Sequence, residues 1–517
     1  MAVFLLPNKP FLFTKLPNMK NSLFILLFFI SCAVTAQPIL FNKLYQADTI
    51  SMLATSIQPT QTGGYIQTGD FNWIDGYAAM YMRKLDQYGN TEKVVILADT
   101  IGNVSTLLHN SLIKSHTPGN YIVSATIGGT NDEERDFMLI EFNENGDVLW
   151  KRIYPQPNYL VGNAQAIATR DGGYLLHGVI YNEQIMQFYL VKTDSTGGVE
   201  WERFYGDNNM HYLLHAEQTL DGGYLLSGQC HSSSTNWDMC AIKTDTMGLV
   251  EWEQRYGTNN DDGGCIAVEV AKGEYALVGS AGIVEQFQPF WYTERQLYFA
   301  RLDSSGLVIE NSEKYYINQS NYTPQSVYLT DKKELIVATL IYAPAPVKSY
   351  FTKLTLSGDM LLNVPLSTGL GNQYSVQDYI RDIEPTPDGG YVMAGFNYLW
   401  PQSGWAIKVD SVGNTCGITN CDTAPVVIDA VALVQSPHTL LHLYPNPSSG
   451  LVQISLNQIP SNGYLQLFDM QGRLLHSTQI TQSTTTISTA TYPNGIYYCQ
   501  LLDNGHITAT QKLVIIK

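Results

Sequence analysis

His211 and His215 stand four residues apart, a spacing that on a helix would aim two imidazoles at one metal ion. The residues around them alternate as in a strand, where the same pair lies about 13 Å apart, so surface histidines are the expectation. His438 and His442 read the same way. The run Asn259-Asn260-Asp261-Asp262-Gly263-Gly264 gathers the oxygen ligands that Ca2+ prefers, with Asp261 and Asp262 as the candidate ligands. It lacks the EF-hand alternation and closing glutamate, and Asp/Gly clusters also build ordinary tight loops, which is the stronger expectation. No nucleophile elbow, H-E-x-x-H helix, P-loop or Rossmann glycine pattern is present, so no catalytic or cofactor-binding residue is nominated.

Aromatic residues offer a binding chemistry instead. Trp150, Trp201 and Trp252 recur at one place in a repeat, which favours packing over a row for stacking sugars. Phe290, Trp291 and Tyr292 occupy an insertion between Gly282 and Gln296, and insertions into repeats become loops on one face. These three form the candidate recognition loop.

The element that would position all of them is a repeat. Gly63-Gly64-Tyr65, Gly119-Asn120-Tyr121, Gly172-Gly173-Tyr174, Gly222-Gly223-Tyr224, Gly273-Glu274-Tyr275, Lys333-Glu334-Leu335 and Gly389-Gly390-Tyr391 follow one another at spacings of 56, 53, 50, 51, 60 and 56 residues. An alternating strand and an Asp-x-x-Gly turn follow, as at Asp194–Gly197, Asp245–Gly248 and Asp410–Gly413. A third phrase closes the unit: Val148–Tyr154, Val199–Tyr205 and Val250–Tyr256. Four short strands per unit of ~50 residues, without helical periodicity, predict an all-β, seven-bladed β-propeller over residues 37–421. The seventh unit lacks its last strand. Ile39–Tyr45 matches Val199–Tyr205 in apolar pattern, so the N-terminal strand 38–45 is expected to complete that unit and remove a free edge.

The chain has 517 residues and a formal net charge of −17. With no basic cluster, that charge argues against nucleic acid as a partner. Lys20, the apolar run Leu23–Ile30 and the small residues ending at Ala36 compose a secretory signal peptide over 1–36, read by the Sec translocon and cleaved between Ala36 and Gln37. Met19, directly before Lys20, offers a second start that would place residues 1–18 upstream of the leader. Export makes a disulfide between Cys416 and Cys421 the expectation, and Cys230 and Cys240 form a second candidate pair. Cys265 and Cys499 are expected to be buried thiols. Residues 422–441 lose the repeat and read as a linker.

From residue 442 to 517 short strands and Asn-Gly and Gln-Gly turns predict a small Ig-like β-sandwich. Tyr444-Pro445-Asn446-Pro447 with Gly450, then Gly472-Arg473, Asn494-Gly495-Ile496-Tyr497 and Lys512–Lys517 follow in order. This segment resembles the type A C-terminal sorting domain of the type IX secretion system. The resemblance implies recognition by the type IX translocon, removal by a sortase-like peptidase, and attachment to surface lipopolysaccharide or release outside the cell. The repeats resemble the Asp-Gly-Gly-Tyr units found beside such domains, which implies a fold and no activity. A binding or structural scaffold is the leading expectation. An extracellular glycan hydrolase or lyase working at the propeller mouth, and an adhesion or envelope-assembly component, are the alternatives.

Overall fold

A computed structural model describes residues 39–415, 429–430 and 441–517, apart from short segments such as 73–77, 106–110 and 285–292. All regular structure among the described residues is β, as the alternation predicts. Six of the seven sequence repeats give four antiparallel strands in chain order. The clearest is Leu160–Ala168, Tyr174–Tyr181, Met186–Thr193 and Val199–Tyr205, here called unit 3. Unit 4 follows as His211–Gln218, Tyr224–His231, Trp237–Thr244 and Val250–Tyr256. Units 1, 2, 5 and 6 begin at Ser51, Leu112, Cys265 and Tyr322. Unit 7 holds Asp378–Pro385, Tyr391–Asn397 and Ser403–Val409, and its fourth strand is Phe41–Gln46 from the other end of the chain. That strand pairs antiparallel with Ser403–Val409 from Phe41↔Lys408 to Tyr45↔Gly404.

The Asp-Gly-Gly-Tyr phrase has a separate physical reason at each letter. In unit 3, Asp171 Oδ1 accepts from Thr169 Oγ1 at 2.6 Å and from Gly173 N at 3.0 Å, which closes the turn. Gly172 takes φ +92°, a conformation that glycine adopts without strain. A Cβ on Gly173 would stand 2.0 Å from the Thr193 carbonyl oxygen, so the neighbouring strand admits no side chain there. Asp171 Oδ2 meets the buried Lys192 ammonium at 2.8 Å, and Glu200 meets it from the other side at 2.8 Å. Unit 4 repeats the set with Asp221, Lys243 and Glu251, and unit 7 with Asp388 and Lys408. These lysines are charges kept inside the protein by carboxylates placed to neutralise them. Burial resists ionisation of Asp171 and Asp221, but the hydrogen bonds and the lysine outweigh it and lower each to about 2.

The phrase ending in tyrosine joins one unit to the next. Tyr154 donates its hydroxyl to the Gly197 carbonyl at 3.0 Å, Tyr205 to Gly248 at 2.9 Å and Tyr256 to Gly306 at 2.8 Å. Tyr316 makes the same bond to Gly358. Tyr45, on the N-terminal strand, makes it to Gly89 of unit 1 at 2.9 Å. Trp150, Trp201 and Trp252 lie against Tyr174, Tyr224 and Tyr275 of the following units, with ring centroids 6.3, 5.8 and 5.7 Å apart. They are packing residues.

The C-terminal region is two further sheets, with strand order Leu441–Tyr444, Leu451–Leu456, Thr484–Ser488 in one and Leu474–Ile480, Gly463–Asp469, Gly495–Asp503, His506–Ile515 in the other. Their inner faces share one apolar core that includes Val452, Ile454, Leu465, Leu501 and Leu513. Cys499 is buried in it.

Candidate functional site

The first strand of most units carries a β-bulge at an equivalent place, between Ala54 and Ser56, Gly162 and Gln165, Leu213 and His215, Pro324 and Ser326, and Ile380 and Asp382. A bulge shifts the alternation by one residue. In unit 4 this puts Leu213 and Ala216 into the same core cluster, and His211 and His215 onto opposite faces. The surface-histidine expectation is therefore corrected. His211 is buried with Nε2 2.8 Å from Asp207 Oδ1, and His215 is enclosed so that burial holds its pKa down at about 4.

First-strand amides on their unpaired side are met by side chains from the neighbouring unit. Asp382 Oδ2 accepts from Ile57 N at 2.9 Å and from the Ser56 hydroxyl. Glu217 accepts from Glu269 N. Gln58 Nε2 donates to Glu384 Oε1 at 2.6 Å and to the Leu112 carbonyl at 3.2 Å. Glu217 and Glu384 hold the same register position in units 4 and 7, two residues past the bulge. Burial pushes Glu217 up to about 8, and pushes Glu384 and its neighbour Asp382 up as well. Lys114 of unit 2 is close enough to oppose that rise, and Glu384 is among the charges that raise Tyr328 of unit 6.

The turns that follow these strands are bridged to one another around part of the molecule. His116 Nε2 donates to the Gly173 carbonyl at 3.0 Å, linking unit 2 to unit 3. Arg170 links unit 3 to unit 4 through Thr219 O at 2.6 Å, Glu269 accepts from Leu220 N, and Lys333 donates to Val270 O at 2.8 Å. Between units 7, 1 and 2 the corresponding positions are Pro387 and Gln61. There a cavity of about 540 Å3 opens, lined by Pro59, Thr60, Gln61, Lys114–His116, Pro118–Tyr121 and Pro385–Pro387. No motif named this site, because its walls are turn residues from three separate repeats.

Other sequence candidates fall elsewhere. Asp262 is buried, and its oxygens accept from Thr258 N at 2.8 Å and from Gly282 N at 2.6 Å, while Asp261 accepts from Trp237 N at 3.1 Å. Both serve backbone amides, of the strands at Trp237 and Gly282 and of the loop at Thr258. The described residues contain no cluster of three or more metal-ligating acids, histidines and cysteines. Cys230 and Cys240 are joined in a disulfide, and Cys265 is a buried free thiol. Ala36, Gln37, Phe290, Trp291, Tyr292, Cys416, Cys421 and Gly472 lie outside the described residues.

In the C-terminal region the single-copy motifs hold the last strand. Asn446 Nδ2 donates to the Lys512 carbonyl at 2.7 Å and Asn446 Oδ1 accepts from Val514 N at 2.8 Å. Ser448, one residue past Pro447, continues the tie through Val514 O and Ile516 N. Both prolines follow cis peptide bonds. Asn494 Oδ1 accepts from Lys517 N at 2.9 Å, and the Lys517 ammonium reaches the Ala490 carbonyl. Arg473 closes its turn on Asp469 at 2.6 Å, and Tyr497 donates to Pro493 O at 2.8 Å. Tyr444 contributes no such bond and is 76% exposed. Gly495 opens the strand Gly495–Asp503, paired with Ile515, with Tyr497 near its Cβ position among the described residues, and Gly450 has open space there.

Comparison with known proteins assigns this region. Residues 442–516 match the secretion system C-terminal sorting domain. No curated protein matches the chain. Among solved structures, Sqt1 from Chaetomium thermophilum is 12% identical at a TM-score of 0.42, over 73% of this chain and 86% of its own. Polysaccharide lyase Uly1 is 9% identical at 0.45, over 69% and 89%. The GH93 α-L-arabinofuranosidase of Fusarium graminearum in complex with arabinobiose is 8% identical at 0.39, over 71% and 97%. Likenesses this distant carry no activity across to this chain. The C-terminal match is of another kind: residues 442–516 are a sorting domain, the chain is a type IX secretion substrate, and it is exported to the extracellular space or the cell surface.

Proposed function

We propose that the seven units close into one seven-bladed β-propeller over residues 37–421, and that this exported ring is a binding or structural scaffold. The linker 422–441 joins it to the sorting domain 442–517. The observation that carries the reading is the seam. Phe41–Gln46 pairs with Ser403–Val409, and Tyr45 reaches Gly89 of unit 1 with the bond that joins four other successive pairs of units. Asp382 of unit 7 caps Ile57 of unit 1 across the same seam. Closure removes the free edge that an exported sheet would otherwise present.

In this reading the Sec translocon reads residues 1–36, and cleavage after Ala36 frees the strand that closes the ring. The sorting domain then engages the type IX translocon and a sortase-like peptidase. Attachment to surface lipopolysaccharide would leave the ring displayed for adhesion or envelope assembly. The repeats are proposed to be of the Asp-Gly-Gly-Tyr propeller type. Hydrogen exchange on the secreted protein tests the seam. Amides of 41–46 should be as protected as those of 403–409, and loop-like exchange at 41–46 would remove the closed ring.

A second reading, a glycan-active hydrolase or lyase, is favoured by one observation. Burial raises the Glu384 carboxyl beside Tyr328 and Lys114, the kind of environment that prepares an acid–base group. Turnover of an extracellular glycan that disappears in Glu384→Gln would replace the scaffold reading with this one.

A further inference from the structure

Resting on the scaffold reading, we propose that the cavity between units 7, 1 and 2 is a binding site for an acidic glycan, a polysaccharide segment whose sugars bear carboxylates. Three observations lead to that ligand. The first is how the cavity arises. Units 2 to 6 fill the gaps between successive turns with a bonded residue: His116, Arg170, Leu220 with Glu269, and Lys333. At Pro387 and Gln61 that filling is absent, and the opening of about 540 Å3 lies in the usual range for ligand pockets.

The second is charge. The chain carries a net −17, and its recurrent lysines at the turns are consumed by carboxylates, as Lys192, Lys243 and Lys408 show. Lys114 lines the cavity, is exposed, and has no ion-pair partner within 4.0 Å among the described residues. His116 stands beside it. No Asp or Glu lines the cavity itself; Glu384 and Glu141 stand behind the lining, the first bonded by Gln58 and the second by Ser115 and Asn120. An anionic ligand is the chemistry this corner accepts in an otherwise acidic protein.

The third is the wall. Pro118, Pro385 and Pro387 offer apolar surface with no N–H to satisfy, while the exposed Gln61 offers an amide; the Thr60 hydroxyl and the Asn120 amide are held by Gly64 N and Glu141. Flat apolar faces beside hydrogen-bonding groups suit a sugar ring, and the Lys114 ammonium supplies a counter-charge for its carboxylate. A phosphate or an acidic peptide would need more cationic donors than one lysine.

Calorimetric titration of the secreted protein with a short oligogalacturonate and with a neutral cello-oligosaccharide of equal length tests this. The account expects binding of the acidic oligomer, weakened by added salt, and about tenfold weaker binding of the neutral one. Lys114→Gln should lower affinity for the acidic oligomer about tenfold, Lys114→Arg should keep most of it, and Lys93→Gln, a surface control on unit 1, should change nothing. Equal binding of both oligomers, no binding of either, or an unaffected Lys114→Gln would overturn the site. Any of these results leaves the propeller itself to the exchange experiment at the seam.

Discussion

The repeat region and the sorting domain use one device, a side chain that leaves its own strand to hold backbone of another element, and they use it in different numbers. In the repeats, tyrosine hydroxyls from Tyr45, Tyr154, Tyr205, Tyr256 and Tyr316 each take one glycine carbonyl of the following unit. In the sorting domain, the Asn446 side chain ties the turn Tyr444–Pro447 to the last strand, taking both Lys512 O and Val514 N, and the Ser448 backbone continues that tie. A tie copied from unit to unit spreads the consequence of losing any one. A tie made once concentrates it. The two parts accordingly show their important residues differently, as a recurrent letter in the first and as an ordered set of unlike motifs in the second.

That difference can be broken in four ways. Deleting residues 39–46 should have the largest effect, because it exposes the Ser403–Val409 edge and removes the Tyr45 tie together. The expected outcome is aggregation or strand exchange between molecules, read by light scattering, and a monomer with unchanged thermal stability would contradict the closed ring. Asn446→Ala comes next. It removes two hydrogen bonds worth about 0.5–1.5 kcal/mol each, so the C-terminal unfolding transition should fall by several degrees while the repeat transition stays in place. Tyr205→Phe should matter less: it removes one hydrogen bond worth about 0.5–1.5 kcal/mol from a larger cooperative unit and should shift the repeat transition slightly.

The smallest effect concerns pH. Glu217 is raised to about 8 by burial, so its contribution is present below the unfolded value near 4.3 and is lost as pH rises through 8. Asp171 and Asp221, lowered to about 2, contribute above the unfolded value near 3.9 and lose that contribution as pH falls toward 2. Thermal melts should therefore be highest in the mildly acidic range. Glu217→Gln should flatten the decline between about pH 4 and pH 8 without changing the acid limb, and an unchanged decline there would show that other groups cause it.

How much of this was legible in the sequence follows from the same contrast. The strands, turns and N-terminal strand pairing were readable because Asp171, Gly172, Gly173 and Tyr174 have separate jobs, which units 4 and 7 repeat in full and the other units in part. The tryptophans were readable as packing for that reason. The histidine pair was misread because a bulge at Leu213–His215 is invisible to a simple alternation, so His211 turned inward. The cavity at units 7, 1 and 2 was not legible at all. It exists because Pro387 and Gln61 fail to do what Arg170 does, and an absence spread over three distant turns leaves no motif. Lys114 looked like any surface lysine until Glu384, Pro59 and Pro385 were brought beside it.

That the C-terminal domain addresses the repeat region to the cell surface is tested by cell fractionation of a chain ending at residue 441. The full chain should be accessible to protease added to intact cells, and the shortened chain should fold and remain in the periplasm. Surface display of the shortened chain at the level of the full one would contradict the claim.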